Sequence, residues 1–124
     1  MSGEPRLRTG SRAEDLAAAH LEARGFHIVA RNWRRPEGEL DLVADDGGTC
    51  VFVEVRSRTG REFGDPLESV NRRKQTRVIR AARLYLQEST ARTNSYRFDV
   101  VGVTFAADGS EPECVHVADA FRVE

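Results

Sequence analysis

The fold is decided by a central stretch of the chain that reads ELDLVADDGGTCVFVEVR, from Glu39 to Arg56. Two runs rich in apolar and β-branched residues flank the pair Gly47-Gly48, a pattern typical of a β-hairpin with a tight turn. Both runs carry apolar side chains on both faces near the turn. Burial on both faces is expected of an inner strand, so we expect this hairpin to lie in the centre of a sheet.

Acidic residues recur on both strands of this hairpin, away from the turn. Residues two apart in a strand share a face, so Glu39 lies on the same face as Asp41, and Glu54 on the same face as Arg56. With a two-residue turn, Asp41 lies directly opposite Glu54. Glu39 then lies opposite Arg56, whereas a four-residue turn would set Glu39 opposite Glu54. Either register brings carboxylates together, and these repel each other unless a proton or a cation lies between them.

The carboxylate pair predicts a site for a divalent metal. Carboxylate oxygens, completed by water and substrate phosphate, suit Mg²⁺ or Mn²⁺, and the sequence has no histidine and cysteine cluster that would favour zinc. Two other interpretations remain open: the carboxylates are solvated at the end of the sheet, or they are paired with arginine.

The elements around the hairpin complete a single α/β domain. Ser11 and Glu14 have the form of a capping box, which predicts a helix of about 13 residues ending before Gly25. The other predicted segments are a strand at 26–31, a loop at 32–38, a loop at 57–65, a helix at 71–87, and strands at 96–105 and 114–117. The expected fold class is therefore α/β, with a central mixed β-sheet flanked by helices. We expect residues 1–10 to be a flexible N-terminus and residues 11–124 to form the domain.

Composition narrows the class of protein. The chain has 124 residues, of which 40% are hydrophobic and 31% charged, and this is typical of one globular domain. No apolar run approaches the roughly 18 residues of a membrane span, and no signal peptide is recognisable, so we expect a cytoplasmic protein without a membrane partner. Cys50 and Cys114 lie in strand-like apolar segments, which favours small core residues over a disulfide or metal ligands.

Basic residues are concentrated in the middle of the chain. Residues 56–83 contain 9 basic and 3 acidic side chains, a net charge of +6 in a protein whose total is −1. This distribution favours a nucleic-acid partner, most naturally DNA, bound through its phosphates. Within the predicted second helix, three arginines recur at helical spacing on a face away from the apolar one, although such a stripe is also typical of a solvated helix surface. The candidate contacts are Arg58, Arg61, Arg73, Lys74, Arg77 and Arg80.

Aromatic residues are few and lie mostly at apolar pattern positions, so base stacking on single strands is not favoured. We interpret Trp33 as part of the core.

The motifs resemble those of the YraN-like family of small bacterial proteins. The resemblance covers about residues 11–105 and rests on Gly38-Glu-Leu-Asp41, Val51-Phe-Val-Glu-Val-Arg-Ser-Arg58, Phe63-Gly-Asp-Pro66, Lys74 and Arg97-Phe-Asp-Val-Val101. The family is similar to archaeal Holliday-junction resolvases and, by motif, to the PD-(D/E)xK restriction-endonuclease-like superfamily. The resemblance implies a restriction-endonuclease-like sandwich and metal-dependent hydrolysis of phosphodiester bonds.

The resemblance also implies roles for individual residues. Asp41 matches the motif aspartate and Glu54 the acid of the ExK element, so these two would hold one or two Mg²⁺ or Mn²⁺ ions together with the Val55 carbonyl. Glu14 matches a helix-borne acid that resolvase-like proteins use as an extra ligand, although the capping box explains it equally well. Glu39 would orient Arg56 or a metal-bound water.

Arg56 departs from the family pattern, because it occupies the lysine position of the ExK element. Arginine stays protonated and cannot act as a base, but it can hold the attacking water and stabilise the transition state. Lys74, the single lysine in the chain, is a candidate for a migrated ammonium or for a phosphate contact.

Two functions are therefore expected from the sequence. The first is a metal-dependent endonuclease or DNA-processing protein, whose substrates could include branched DNA. Cleavage of a four-way junction would require this protein to be a symmetric homodimer. The second is a nucleic-acid-binding module of the same fold with a decayed catalytic site. A protein-interaction scaffold without nucleic acid is disfavoured by the basic block.

Overall fold

The computed structural model describes residues 8–60, 70–89 and 95–123 of the chain. Within these ranges the chain forms two helices and five strands. Their bounds are α1 (Arg8–Ala23), β1 (His27–Arg35), β2 (Gly38–Asp46), β3 (Thr49–Thr59), α2 (Arg72–Glu88), β4 (Ser95–Phe105) and β5 (Glu113–Phe121). The strands form one sheet in the order β1-β2-β3-β4-β5, in which β3 and β4 are parallel and all other neighbours antiparallel. The predicted α/β class with a mixed sheet is confirmed.

The β2–β3 hairpin has the predicted two-residue turn. Gly47 and Gly48 have φ values of +59° and +100°, a combination that a tight hairpin turn requires and that glycine adopts without strain. From this turn the two strands pair in register as far as Leu42 and Val53. The hairpin lies at the centre of the sheet, as its apolar sequence predicts.

The regular β2–β3 pairing ends one residue before the acidic pair. The register up to that point is the one that the two-residue turn predicts, and Asp41 and Glu54 occupy the next positions along it without being paired in the ladder themselves. The Val55 N–H instead donates a hydrogen bond of 2.9 Å to Asp41 Oδ2, so a side-chain carboxylate takes the place of a backbone acceptor. On the other side of β2, Glu39 pairs in the sheet with Arg34 of β1. Its predicted position opposite Arg56 stays a prediction.

Both faces of the sheet are buried, one under each helix. The α1 face contains Ala13, Ala17, Ala18, Leu21, Leu42, Ala44, Val51, Val53, Val101, Val103 and Phe105, and the α2 face contains Leu40, Val43, Phe52, Val70, Val78, Ala81, Ala82, Phe98, Val100 and Phe121. Consecutive residues of β3 alternate between the two sets, which explains its nearly continuous apolar sequence. The architecture is thus three layers, with the sheet between α1 and α2.

The sequence predicts the start of α2 better than that of α1. The predicted helix starts at Asn71, and in the structure Asn71 is the N-cap of α2: its side-chain oxygen accepts a hydrogen bond of 3.0 Å from the Lys74 N–H. α1, however, begins at Arg8, so Ser11 lies within the helix and cannot cap it. The predicted capping box is therefore wrong, and Glu14 needs another explanation.

The strands are longer than predicted where their sequence is polar. β1 continues to Arg35 through a segment assigned to a loop, because it is an edge strand whose exposed side chains hide its pattern. Asn32 within it adopts φ +51°, a conformation that asparagine tolerates. Trp33 packs edge-on against Tyr85 of α2 at 5.4 Å between ring centroids, which confirms its core position. β3 likewise continues to Thr59, into the predicted loop.

Both cysteines are half-buried free thiols packed beside the two cores, as the sequence predicts. Burial raises the pKa of Cys50 to about 11, so this thiol stays protonated at neutral pH.

A fully buried carboxylate, Asp99 of β4, joins the last two strands to the hairpin. Its Oδ1 accepts hydrogen bonds of 2.9 Å from both Arg97 Nε and the Asp119 N–H, and its Oδ2 lies 2.7 Å from His116 Nε2. Arg97 also reaches Asp46, at the end of β2, at 3.2 Å. Burial raises the pKa of Asp99, but these partners outweigh burial and the net pKa is lowered.

We expect Asp99→Asn to lower the free energy of unfolding at pH 7 by about 3 kcal/mol, because it leaves Arg97 beside an uncharged amide in a buried site. A carboxyl with a lowered folded pKa stabilises the fold above its unfolded pKa of about 3.9 and loses that contribution as the pH falls through the folded pKa. The native protein should therefore lose stability below about pH 4 more steeply than the variant in urea unfolding. Asp15→Asn, which removes an exposed pair with Arg31, is the control, and equal effects of the two substitutions would contradict this role.

Candidate functional site

A small pocket lies where the β2–β3 pairing ends, beneath the N-terminal half of α2. Its volume is about 180 Å³. It is lined by Glu39, Asp41, Glu54, Arg56, Lys74, Arg77 and Val78. All of these except Val78 are candidates from the sequence, so the fold brings together residues that lie up to about 40 positions apart in the chain.

Asp41 contributes a carboxylate held between the two strands. Burial is the main reason why its pKa is raised, and the negative charges of Glu14 and Glu39 add to this effect. The hydrogen bond from Val55 and the charge of Arg56 oppose it. The pKa of Asp41 is raised overall, which means that its surroundings disfavour the ionised form of this carboxyl.

Glu54 is the more strongly perturbed of the two acids. It is only 6% exposed, and burial followed by the charge of Asp41 raises its pKa to about 8. Arg56 offsets part of this, its Nη2 lying 3.5 Å from Glu54 Oε1. Near neutral pH the pair therefore retains a proton unless a cation takes its place.

Arg56 has one hydrogen-bond donor that no described residue satisfies. Its Nε is buried and has no hydrogen-bond partner among the residues that the structure describes. A buried donor without a partner is costly, and an anionic oxygen of a bound molecule would satisfy it. This geometry suits an oxyanion ligand in the pocket.

The opposite wall of the pocket is basic and is supplied by α2. The helix approaches β2 closely at Gly38, whose φ is +155°, and a Cβ there would lie 2.9 Å from the Arg77 carbonyl oxygen. Glycine at this position therefore allows Lys74 and Arg77 to face the carboxylates. α2 has no acidic residue before Glu88, so its N-terminal half is uniformly cationic.

The remaining sequence candidates lie around the pocket or away from it. Glu39 forms an exposed ion pair with Arg34 at 3.2 Å, and Arg58 Nε donates to Thr104 Oγ1 at 3.4 Å. Arg73 is exposed on α2. Arg80 lies on the other flank of this helix, facing a different groove. Arg61 lies outside the described residues.

Glu14 is close enough for its charge to raise the pKa of Asp41, but it does not line the pocket. Its Oε1 accepts a hydrogen bond of 2.8 Å from Asn32 Nδ2. A role for Glu14 as a metal ligand stays a prediction.

The oxygen atoms that line the pocket can be compared with the ligands that Mg²⁺ or Mn²⁺, the metals predicted from the sequence, require. In residues 8–60, 70–89 and 95–123, no three histidine, cysteine, aspartate or glutamate side chains are arranged to hold a metal ion. Mg²⁺ does not need three, because it commonly binds through one or two carboxylates and takes its other ligands from water and phosphates. Asp41 and Glu54 supply two desolvated carboxylates, and the Val55 carbonyl is a further oxygen donor beside them. The residues present therefore fit Mg²⁺ or Mn²⁺.

Sequence reasoning missed the residues that hold the outer acids in place. Arg34 pairs with Glu39, and Asn32 binds Glu14, both from a segment predicted to be a loop. No regular alternation marks this strand in the sequence, because a bulge lies between Ile28 and Ala30, and Ala30 and Trp33, which pack on the same face, are three residues apart.

The fold and pocket together define a class: a three-layer α/β protein in which a buried and a half-buried carboxylate at the open end of a central hairpin face a basic helix. A family model described as "Uncharacterised protein family UPF0102" matches residues 13–103, and the chain belongs to this family. This confirms the membership that the YraN-like motifs predict.

Relatives share nearly the whole length of the chain. The UPF0102 protein of Rhodococcus opacus is 44% identical over 115 residues, covering 93% of this chain and 97% of the relative. That of Symbiobacterium thermophilum is 46% identical with the same coverage. That of Pseudomonas aeruginosa is 46% identical over 113 residues, which is 90% of each chain. In the part of the chain that the structure describes, neither helix is long and apolar enough to cross a membrane.

We expect Glu54→Gln to become increasingly stabilising, relative to the native protein, as the pH rises from about 4 to about 8. The unfolded pKa of glutamate is about 4.3, so between this value and about 8 the native state binds more protons than the unfolded state. Its stability therefore falls with pH, whereas glutamine does not titrate. Urea unfolding with chelator at pH 5, 6, 7 and 8 measures the difference. Glu88→Gln, at an exposed ion pair, is the control, and a difference that does not grow with pH would contradict the burial of Glu54.

Proposed function

We propose that this protein is a Mg²⁺- or Mn²⁺-dependent endonuclease that hydrolyses phosphodiester bonds in DNA. The observation that carries the proposal is the pairing of two desolvated carboxylates with a cationic wall in one small pocket. Burial raises the pKa of both carboxyls, and the charge of Asp41 raises that of Glu54 further, so two ionised carboxylates here are unfavourable in the absence of a counter-charge. A divalent cation compensates the carboxylates, and Lys74 and Arg77 attract the phosphate that completes its ligands.

Each side chain then has a distinct task. Asp41 and Glu54, with the Val55 carbonyl, would hold the cation, which when bound lowers the pKa of a water molecule and neutralises charge on the phosphate. Arg56 donates hydrogen bonds to the phosphate oxygens through its unpartnered Nε and stabilises the charge that develops on them. Arginine cannot accept a proton, so Arg56 is an electrostatic group and not the base.

Basic residues outside the pocket would hold the flanking backbone. Lys74 and Arg77 are close to the carboxylates, and Arg73 lies on the exposed ridge of the same helix. Contacts of this type carry no sequence information, so recognition through them is expected to depend on salt and not on base sequence.

The finer fold assignment belongs to the same proposal. A hairpin bearing Asp41, followed by Glu54-Val55-Arg56 on its second strand and by a helix leading to a parallel strand, supports a restriction-endonuclease-like sandwich. The similarity of the motifs to those of archaeal Holliday-junction resolvases supports a DNA-processing role, and a cytoplasmic location agrees with it.

One observation favours a second candidate, a nucleic-acid-binding module of the same fold without cleavage. Arg56 stands where the motif has lysine, and its guanidinium already offsets part of the charge of Glu54 at 3.5 Å. A site that has lost its metal would need such a compensating cation.

Substitution of Arg56 separates these two functions. In an active nuclease we expect Arg56→Lys to retain or raise metal-dependent cleavage, because an ammonium keeps the charge beside the phosphate. Arg56→Ala should lower the rate by about 100-fold or more, as removal of a transition-state hydrogen-bond donor does elsewhere. The measurement is single-turnover cleavage of duplex, flap and four-way-junction DNA in Mn²⁺.

The matched control is Arg24→Ala, an exposed arginine just after α1, which should cut at the native rate. In a binding module the native protein would cut none of the substrates, and Arg56→Ala would change only DNA affinity. Cleavage by Arg56→Ala at the native rate would contradict both functions, because it would place the chemistry elsewhere.

A further inference from the structure

A second basic surface lies on the flank of α2 opposite the carboxylate pocket. It is a groove of about 430 Å³ between α2 and the C-terminal end of β5, which we call the α2–β5 groove. Arg72, Arg80 and Arg83 line one side, Arg122 the other, and Ile79 and Phe121 contribute apolar surface. The groove shares no lining residue with the carboxylate pocket.

The three arginines that α2 contributes to this groove are not neutralised within the described protein. Arg72, Arg80 and Arg83 are exposed, and none forms an ion pair with an acidic side chain among the described residues. The fourth arginine, Arg122, is paired with Asp119 at 2.5 Å. Three guanidinium groups that face one groove without acidic partners are complementary to an extended anion.

Their spacing matches a polymer better than a single small anion. Arg72 and Arg83, at positions i and i+11, lie within about 20° of each other around the helix and form a row along it, and Arg80 at i+8 lies about 80° from Arg72 towards the exposed side. At a rise of 1.5 Å per residue, the row is about 16 Å long. A nucleic-acid strand carries one phosphate per roughly 3.4 Å of duplex axis, so each arginine of such a row has a phosphate within reach.

The two basic surfaces flank a single helix. With 100° of rotation per residue, Lys74 and Arg77 lie on one side of α2 and Arg72 and Arg83 on the other. Arg73 and Arg80 lie on the exposed ridge between them, and Arg80 borders the α2–β5 groove. An α-helix with its side chains is about 10–12 Å across, and the major groove of B-form DNA is about 12 Å wide. The major groove of an RNA duplex is too narrow to admit a helix in this way.

We infer that the α2–β5 groove binds the second sugar–phosphate backbone of a DNA duplex whose first backbone passes the carboxylate pocket. This inference rests on the proposed function and deepens it, because it assigns double-stranded DNA as the substrate class. α2 then lies in the major groove between the two backbones. The side chains on its exposed ridge face the base pairs but do not recognise a particular base sequence. A single strand occupies only one side of the helix.

The test measures binding of a 20-base-pair DNA duplex, the corresponding RNA duplex and single-stranded DNA, with chelator present to prevent hydrolysis. The groove variant carries Arg72→Gln, Arg80→Gln and Arg83→Gln together, and glutamine preserves the helix. A charge-matched control carries Arg12→Gln, Arg24→Gln and Arg31→Gln on the opposite side of the protein. A third variant carries Lys74→Gln and Arg77→Gln, and it changes only the basic residues that line the carboxylate pocket.

For the native protein we expect DNA duplex to bind more tightly than RNA duplex or single strand. The groove variant should lose about tenfold or more in duplex affinity, and its slope of log affinity against log salt should fall by about 2 to 3, the loss expected for three phosphate contacts. Its affinity for single-stranded DNA should change less than twofold. Replacement of the same three arginines by lysine should preserve the slope, which excludes misfolding as the cause.

Three outcomes would overturn the inference. If the groove variant binds duplex like the control while Lys74→Gln with Arg77→Gln weakens binding, the groove is not used and the proposed function stands. If duplex and single strand lose affinity equally, the groove does not hold a second backbone. If the native protein binds no nucleic acid, the proposed function fails together with the inference.

Discussion

The organisation of the site depends on one hydrogen bond, from the Val55 N–H to Asp41 Oδ2. It replaces a backbone-to-backbone contact at the point where β2 and β3 stop pairing, and so it draws a carboxylate into the interior of the sheet. The acid on β3, Glu54, is buried beside it, and burial together with the charge of Asp41 raises the pKa of Glu54. The end of the hairpin therefore concentrates negative charge where water is largely excluded.

This charge has consequences for the rest of the molecule. The fold offsets it only partly through Arg56, whose contact with Glu54 is long and whose Nε has no partner among the described residues. Gly38 lets α2 approach β2, and the helix brings further cations to the same pocket. Asp99 provides a contrast, because its buried carboxylate is fully satisfied by Arg97, His116 and a backbone N–H. One buried acid stabilises the fold, whereas the other two are arranged for a ligand.

The sequence predicts the central features well because they depend on local patterns. Alternation and the Gly47-Gly48 turn predict the hairpin, and apolar residues on both faces place it in the centre of the sheet. Most pocket residues are predicted too, since they lie on the hairpin or on the cationic helix. The sequence pattern does not predict how the strands and helices are placed relative to one another. It gives no sign that pairing stops before Asp41 or that Arg80 turns away from the pocket. The first half of the edge strand β1 is predicted, but its continuation from Asn32 to Arg35 is mistaken for a loop because its side chains are mostly polar and exposed.

The central claim is that Asp41 and Glu54 are buried together in order to hold a divalent cation. Its most direct test is Mn²⁺ binding, measured by electron paramagnetic resonance, to the native protein and to Asp41→Asn with Glu54→Gln. The control, Asp15→Asn with Glu22→Gln, makes the same change of charge on the exposed surface of α1. We expect one or two bound Mn²⁺ ions in the native and control proteins and none in the carboxylate variant. Equal binding by all three proteins, or by none, would contradict it.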